Sequence, residues 1–482
     1  MNKHYKVLAV SMLAAAIGGC AVTSQPIERA VSEQRAQEDL TSMFSGQEPL
    51  NAPLTLHQAM ARAVKYNLEA RLKIMEEALA ERQVDLSRLD MLPRMALDAG
   101  YTGRNNVSAS SSRSISTGTQ SLEPSTSQDR DREVGDLTMV WNVLDFGVSY
   151  VSAQQQGDQR LIVQERRRKV LHTIIQDVRS AYWRALAAER LLVQIDQQMV
   201  RVDQARQNSL RMSEQRIGDP VQSLGYQRAL IEATRQLEQQ RRALSLAKTE
   251  LAALINLPMN TRFELAPASD SYPVPTLATD MAVLEQEALI NRPELREQDY
   301  QARIGAAETR KAMLRMLPGL EFSLGGHYDS NSFLTNQSWA DYGVKVTWNL
   351  FNLLSAPAAI DAAKASEDVV TLRRQAMSMA ILAQLYVANA NFQEAARQFS
   401  TSEQLASLDQ QIAEQLRNRH KAQGIGELEL IQGELNLLQA NLRRDLAYAE
   451  VRNSYGQLFA SVGLDPLPQT LASPSLADIG QA

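Results

Sequence analysis

The chain of 482 residues contains one cysteine, Cys20. A disulfide within one chain is therefore impossible, and so is a metal site built on several thiolates. Net charge is only −5, which gives no electrostatic footprint for nucleic acid. Aromatic residues are scarce, at 5 %. Beyond the N-terminal segment no apolar run is long enough for a membrane-spanning helix. Such a chain crosses a membrane only as a closed barrel. Glycine and proline are missing between Gly157 and Gly218, and again between Pro357 and Gly424. Each stretch predicts an unbroken helical segment of about 65 residues and about 100 Å, at 1.5 Å per residue. Catalytic constellations are missing as well. His4, His57, His172, His327 and His420 are scattered without ligand-spaced partners. There is no glycine-rich phosphate cradle and no nucleophile elbow. The methionines follow the apolar stripes, as gap-filling core residues do. The expectation is a non-enzyme without cofactor or metal.

What is present occurs twice. Met91-Leu92-Pro93 recurs as Met316-Leu317-Pro318, a shift of 225. Trp141-Asn142 recurs as Trp348-Asn349, a shift of 207 that still holds where Leu251, Ala253 and Leu257 map onto Leu458, Ala460 and Leu464. Copies of about 200 residues are too long for solenoid units. They read as two halves of one architecture, at 51–258 and 259–466, with a polar tether at 20–50 and a disordered Pro/Ser/Ala-rich tail at 467–482. Thr55 and Gln58 form a capping box opening a helix that runs to about Leu92. Met95, Leu97, Ala99 and Tyr101 then alternate with Ala96, Asp98, Gly100 and Thr102, the period of a strand. A Ser/Thr-rich loop, about 103–133, separates this strand from a second over 136–143. Copy two repeats the alternation over 320–328 and 341–350.

Each strand pair leads into a long helical stretch. In copy one Ile174, Val178, Ala181, Ala185, Ala188, Leu192, Ile195, Met199 and Val202 recur in steps of four and three. Ile381, Leu385, Ala388, Phe392, Ala395, Phe399, Ser402 and Ala406 match them in copy two. A sustained period of 3.5 demands left-handed supercoiling against neighbouring helices. Each long helix breaks at a glycine-containing turn, Ile217-Gly218-Asp219-Pro220 and Gln423-Gly424-Ile425-Gly426, and a return helix of about 35 residues follows.

The N-terminus reads as a signal peptide, residues 1–19. Lys3 and Lys6 precede the short apolar stretch Val7 to Ile17. Ile17-Gly18-Gly19-Cys20 resembles a bacterial lipobox. The resemblance implies cleavage before Cys20 and lipid attachment to it. Ala21, rather than an aspartate, points to the outer membrane.

Four strands cannot close a membrane barrel, whose smallest members have eight. Yet these strands carry one apolar and one polar face, and Trp141 and Trp348 are candidates for an interfacial aromatic girdle. Either chains pool their strands, or the strands form an ordinary antiparallel sheet with one solvated face. Joined to helices of about 100 Å, they read as a tube standing on a barrel.

The order helix, strand, loop, strand, long helix, turn, helix, repeated once, resembles the TolC-type outer-membrane factor family over about 400 residues. The resemblance implies a mainly α fold with a transmembrane β-barrel: a homotrimer with a twelve-stranded barrel on a twelve-helix periplasmic tunnel. It implies a passive duct for small molecules, a periplasmic adaptor and an inner-membrane transporter as partners, and outer-membrane lipid around the barrel. Type I protein secretion is the alternative within transport. A non-channel periplasmic coiled-coil lipoprotein is the alternative of another class. The two helical turns become the periplasmic tips. Glu429, Glu427 and Asp219 are candidate gate residues, with Gln432 where some members carry a second acid and Ser223 at the comparable place in copy one. Arg216, Gly218, Arg419, Lys421 and Gly424 are candidate adaptor-docking positions. Helix-dipole stabilisation accounts equally for acids at helix starts, and for Arg216, Arg419, His420 and Lys421 at helix ends.

Overall fold

The computed structural model describes residues 26–121, 123–215, 219–266 and 272–464. Cys20, the signal segment and the tail at 467–482 lie outside these residues.

Two copies of one path make up the chain. In copy one, α2 (Leu56–Tyr66) and α3 (Leu68–Leu89) lead into β1 (Arg94–Gly103) and β4 (Asp131–Asn142). The long helix α4 (Val143–Glu214) and the return helix α5 (Pro220–Leu254) follow. In copy two, α6 (Met281–Asn291) and α7 (Pro293–Leu314) lead into β5 (Gly319–Asp329) and β6 (Ser338–Thr347). Then come α8 (Phe351–Lys421) and α9 (Glu427–Val462). Both offsets read from the sequence recur in the elements. Leu56 and Leu68, which open α2 and α3, map by 225 onto Met281 and Pro293. Glu214 and Pro220 map by 207 onto Lys421 and Glu427.

Local chemistry sets the boundaries. The Thr55–Gln58 capping box is formed in both directions, at 3.2 and 3.0 Å. The single helix expected from Thr55 to Leu92 is in fact two. Asn67 is extended (φ −58°, ψ 129°), and its Oδ1 accepts the N–H groups of Glu69 and Ala70 to cap α3. Its Nδ2 donates to the Leu254 carbonyl at 2.9 Å, which fixes the elbow against the return helix. Arg292 makes the same elbow in copy two (φ −62°, ψ 125°), where Pro293 keeps its predecessor out of the helical region. Asn142 closes β4 and caps α4 through Leu144 and Asp145. The return helices end alike. Asn256 (φ 54°) and Gly463 (φ 78°), related by the 207 shift, both take the left-handed conformation that stops a helix.

The long helices are 72 and 71 residues, about 108 Å each by rise. They exceed the glycine- and proline-free windows because Gly147, Gly157 and Pro357 are absorbed near their starts. In α4 the seam is buried at Ile174, Val178, Ala181, Ala185, Ala188, Ile195 and Val202. Leu191, not Leu192, is the fully buried leucine, and Met199 is half-buried. In α8 Ile381, Leu385, Ala388, Phe392, Ala395, Phe399 and Ala406 are buried, while Ser402 is half-buried. The main core runs from the middle of α4 toward the turns, where α2, α4, α5 and α9 meet.

Three further expectations need correction. The Ser/Thr-rich loop contains a small hairpin, β2 (Ala109–Ser110) with β3 (Ser125–Thr126), and part of its charged end belongs to β4. Residues 20–50 are not tether throughout. Arg29–Met43 forms helix α1, and the segment after it is docked. Buried Arg62 donates to the Glu48 carbonyl and to Gln47 Oε1, and Asn256 donates to the Met43 carbonyl. Finally, Trp348 lies just beyond β6 rather than inside it.

Candidate functional site

The strands form one antiparallel sheet in the order β1-β4-β5-β6, so the β4–β5 pair joins the two copies. The register sorts the side chains into two faces. Met95, Met139, Leu324 and Tyr342 are aligned across all four strands, and Trp141, Phe322 and Val344 across three. This face is bare: Leu97 is 77 %, Val344 64 % and Tyr342 89 % exposed. The opposite face aligns Asp98, Asp136, His327 and Trp339 in one row and Asn142, Glu321 and Lys345 in another. β1 and β6 have no partner on their outer edges among the described residues.

Trp141 and Trp348 both sit where strands pass into long helices. Trp141 stacks on Phe322 with ring centroids 6.3 Å apart. The Trp348 indole N–H donates to the Met316 carbonyl at 3.0 Å. Both rings are partly exposed, and the Trp348 N–H is satisfied by backbone, as suits a boundary between apolar and polar surroundings.

At the far ends of the helices lie the two turns. Arg216 and Gly218 fall outside the described residues. Asp219 caps α5, its Oδ1 accepting the Val221 N–H at 3.1 Å. In the second turn the Gly424 N–H donates to the Arg419 carbonyl at 2.8 Å, and Gln423 takes the left-handed conformation (φ 58°). Arg419, His420 and Lys421 occupy the last turn of α8, and Glu427 and Glu429 the first turn of α9. The two acids differ in setting. Glu429 is exposed, whereas Glu427 is half-buried beside Tyr226 of α5. Burial, and secondarily the Glu427 charge, pushes the Tyr226 hydroxyl pKa up.

Two polar groupings were not expected from the sequence. Glu434 of α9 is buried and collects three donors from two other helices. These are Arg417 of α8 at 3.0 Å, Gln198 of α4 at 2.9 Å, and Arg201 of α4. The signal was available: Glu434 is a carboxylate in the apolar run Leu430, Ile431, Leu435, Leu438. On the polar sheet face, His327 lies between Asp136 (2.5 Å from Nδ1) and Asp341 (3.1 Å from Nε2) and stacks on Trp339. No spacing reveals this, because strand register alone brings the four together. Among the described residues no three His, Cys, Asp or Glu side chains are grouped to hold a metal ion. No described helix is long and apolar enough to cross a membrane.

No protein-family model matches the sequence, and no curated protein matches it. Solved structures do. The CmeC outer membrane channel of Campylobacter jejuni is similar with a TM-score of 0.67 at 13 % identity, over 87 % of this chain and 90 % of that one. The MtrE outer membrane channel of Neisseria gonorrhoeae, in its open state, gives 0.65 at 17 % identity over 85 % and 88 %. CusC, described in terms of transmembrane channel formation, gives 0.65 at 17 % identity over 87 % and 96 %. A two-faced four-stranded sheet drawn from both copies, continuous with two helical hairpins and matched to these channels along most of their length, is the fold of the TolC-type outer-membrane factors.

Proposed function

We propose that the protein is an outer-membrane export channel, a passive duct that carries small molecules from an inner-membrane transporter and its periplasmic adaptor. One observation carries the proposal: a sheet with a bare apolar face and two open edges is continuous with helices of 72 and 71 residues. An open edge in lipid leaves each backbone group unsatisfied at a cost of several kcal/mol. Three copies supply twelve strands and close the barrel, with the apolar face toward lipid and the His327 face toward the lumen. Trp141 and Trp348 form its aromatic girdle, and the helical hairpins extend it as a tunnel. The repeats at 51–258 and 259–466 then contribute equivalent halves of each protomer. Cys20 carries the lipid, with 1–19 removed and the remaining tether leading to α1.

The tips supply the gate and the docking surface. Glu429, with Glu427 and Asp219 nearby, lines the aperture. Arg216, Gly218, Arg419, Lys421 and Gly424 meet the adaptor. The duct performs no chemistry, and the transporter supplies the energy and selects the cargo. The test is conductance of the purified full-length protein in planar bilayers. Discrete, long-lived conductance steps are expected. A protein that leaves the bilayer silent while remaining folded would favour the periplasmic spacer instead.

A further inference from the structure

The seam between α4 and α9 gathers donors without acceptors. Arg179 and Trp183 lie one turn apart on α4, and Arg452 and Gly456 one turn apart on α9. The Arg179 guanidinium lies against Gly456, in space that any Cβ at that position would occupy. The Arg452 guanidinium covers the Trp183 ring, 5.4 Å from its centroid. The Trp183 Nε1–H is buried and has no acceptor among the described residues.

Arginine and indole nitrogen groups only donate. Among the described residues, Arg179 has one side-chain acceptor, Gln176 Oε1 at 3.1 Å. The amide nitrogen of Gln176 is committed to Asn453 across the seam. No carboxylate of the described residues forms an ion pair with Arg179 or Arg452. Burial, and secondarily the Arg452 charge, pushes the Arg179 pKa down. Two like charges near enough to act on one another, and partly desolvated, are unfavourable unless a counter-charge completes them. Guanidinium forks match the paired oxygens of a carboxylate or phosphate, and these charge-assisted bonds are the strong ones.

We infer that Arg179 and Arg452, the latter seated on the Trp183 ring, form an oxyanion site completed by a group from outside this chain. Gly456 belongs to the site because its missing side chain leaves the guanidinium room to lie across the seam. Two sources share the required chemistry: a carboxylate of a second copy of this chain, or a free phosphate. The first source rests on the oligomer proposed above, whereas the second does not.

The test uses full-length protein in detergent, as wild type, Arg179→Met, Arg452→Met, the double variant and Arg179→Lys. Oligomer dissociation and thermal unfolding are read in chloride and in inorganic phosphate at equal ionic strength. Both methionine variants are expected to lose several degrees, and Arg179→Lys less, because it keeps the charge and loses the fork. If the loss is already present in chloride and accompanies dissociation, the oxyanion is a carboxylate of a second copy. If wild type gains stability only in phosphate and the methionine variants do not, it is a free anion. A double variant as stable as wild type, or more stable, in both buffers overturns the site. That result is what plain repulsion between two hydrated arginines predicts. A protein that is monomeric throughout would sink the proposed assembly but leave the phosphate comparison readable.

Discussion

Glu429 and Glu434 lie on one helix, yet Glu429 stands in water and Glu434 is enclosed by Arg201, Arg417 and Gln198. The exposed carboxylate is free to act on ions, and the enclosed one binds helices together. Changing Glu429 to Gln should reduce cation selectivity in planar bilayers, because the proposed trimer would cluster three such carboxylates and clustered carboxylates attract cations. Glu427→Gln should change it less, since Glu427 is half-buried where Glu429 is exposed. Helix-dipole stabilisation alone predicts equal small losses of stability and an unchanged reversal potential. Reversal potential in a salt gradient therefore decides between the two accounts. A second prediction concerns Tyr272, which donates to Asp445 at 2.6 Å. Burial first, and that hydrogen bond second, push its pKa up to about 12 from 10.0. A raised folded-state pKa contributes stability that is complete below pH 10.0 and is lost as pH rises through about 12. Tyr272→Phe has no such titration. The gap in melting temperature between wild type and variant should shrink across that window, and a constant gap would remove Tyr272 from alkaline unfolding.

Among the elements, the strands make the sharpest prediction. Val344 and Val346 share the bare face, whereas Lys345 and Thr347 share the other. Arginine at Val344 or Val346 should cost roughly 2–4 kcal/mol per chain if the site lies near the bilayer midplane. Arginine at Lys345 or Thr347 should instead alter conductance. Equal tolerance on both faces, measured by heat-resistant oligomer in membranes, would return the sheet to ordinary solvent. The element types were legible because each obeys a period. Steps of four and three marked α4 and α8, and strict alternation marked β1, β4, β5 and β6. The elbow at Asn67 was not legible. It needs neither glycine nor proline and depends on an amide that caps α3 while bonding the distant Leu254 carbonyl. The hairpin within the Ser/Thr-rich loop was hidden for a similar reason, since its two-residue strands are too short to show alternation.

For the whole molecule, the edges of β1 and β6, unpaired among the described residues, would demand partners if the sheet lies in lipid. Light scattering in detergent should report a trimer, and a stable folded monomer would refute the pooled barrel. Cys20 offers an independent check on anchoring. Cys20→Ser should abolish acyl labelling while leaving the oligomer folded, because the proposed barrel would insert without the lipid. Wild-type protein without lipid would show the N-terminal reading to be wrong.

Sequence by itself determined the duplication, the two offsets, the long supercoiling helices, the two-faced strands and the turns that separate them. All of these are local: they are written in periods, caps and breakers that neighbouring residues impose on one another. Tertiary structure decided that β4 pairs with β5, uniting the copies in one sheet. It also placed His327 between Asp136 and Asp341, enclosed Glu434 with donors from two other helices, and laid Arg179 on Gly456. Apart from the shorter reaches of Glu434 to Arg417 and of His327 to Asp341, those contacts join residues roughly 180 to 280 positions apart. At such separations spacing carries no information, and only strand register and the packing of helix against helix decide which side chains meet.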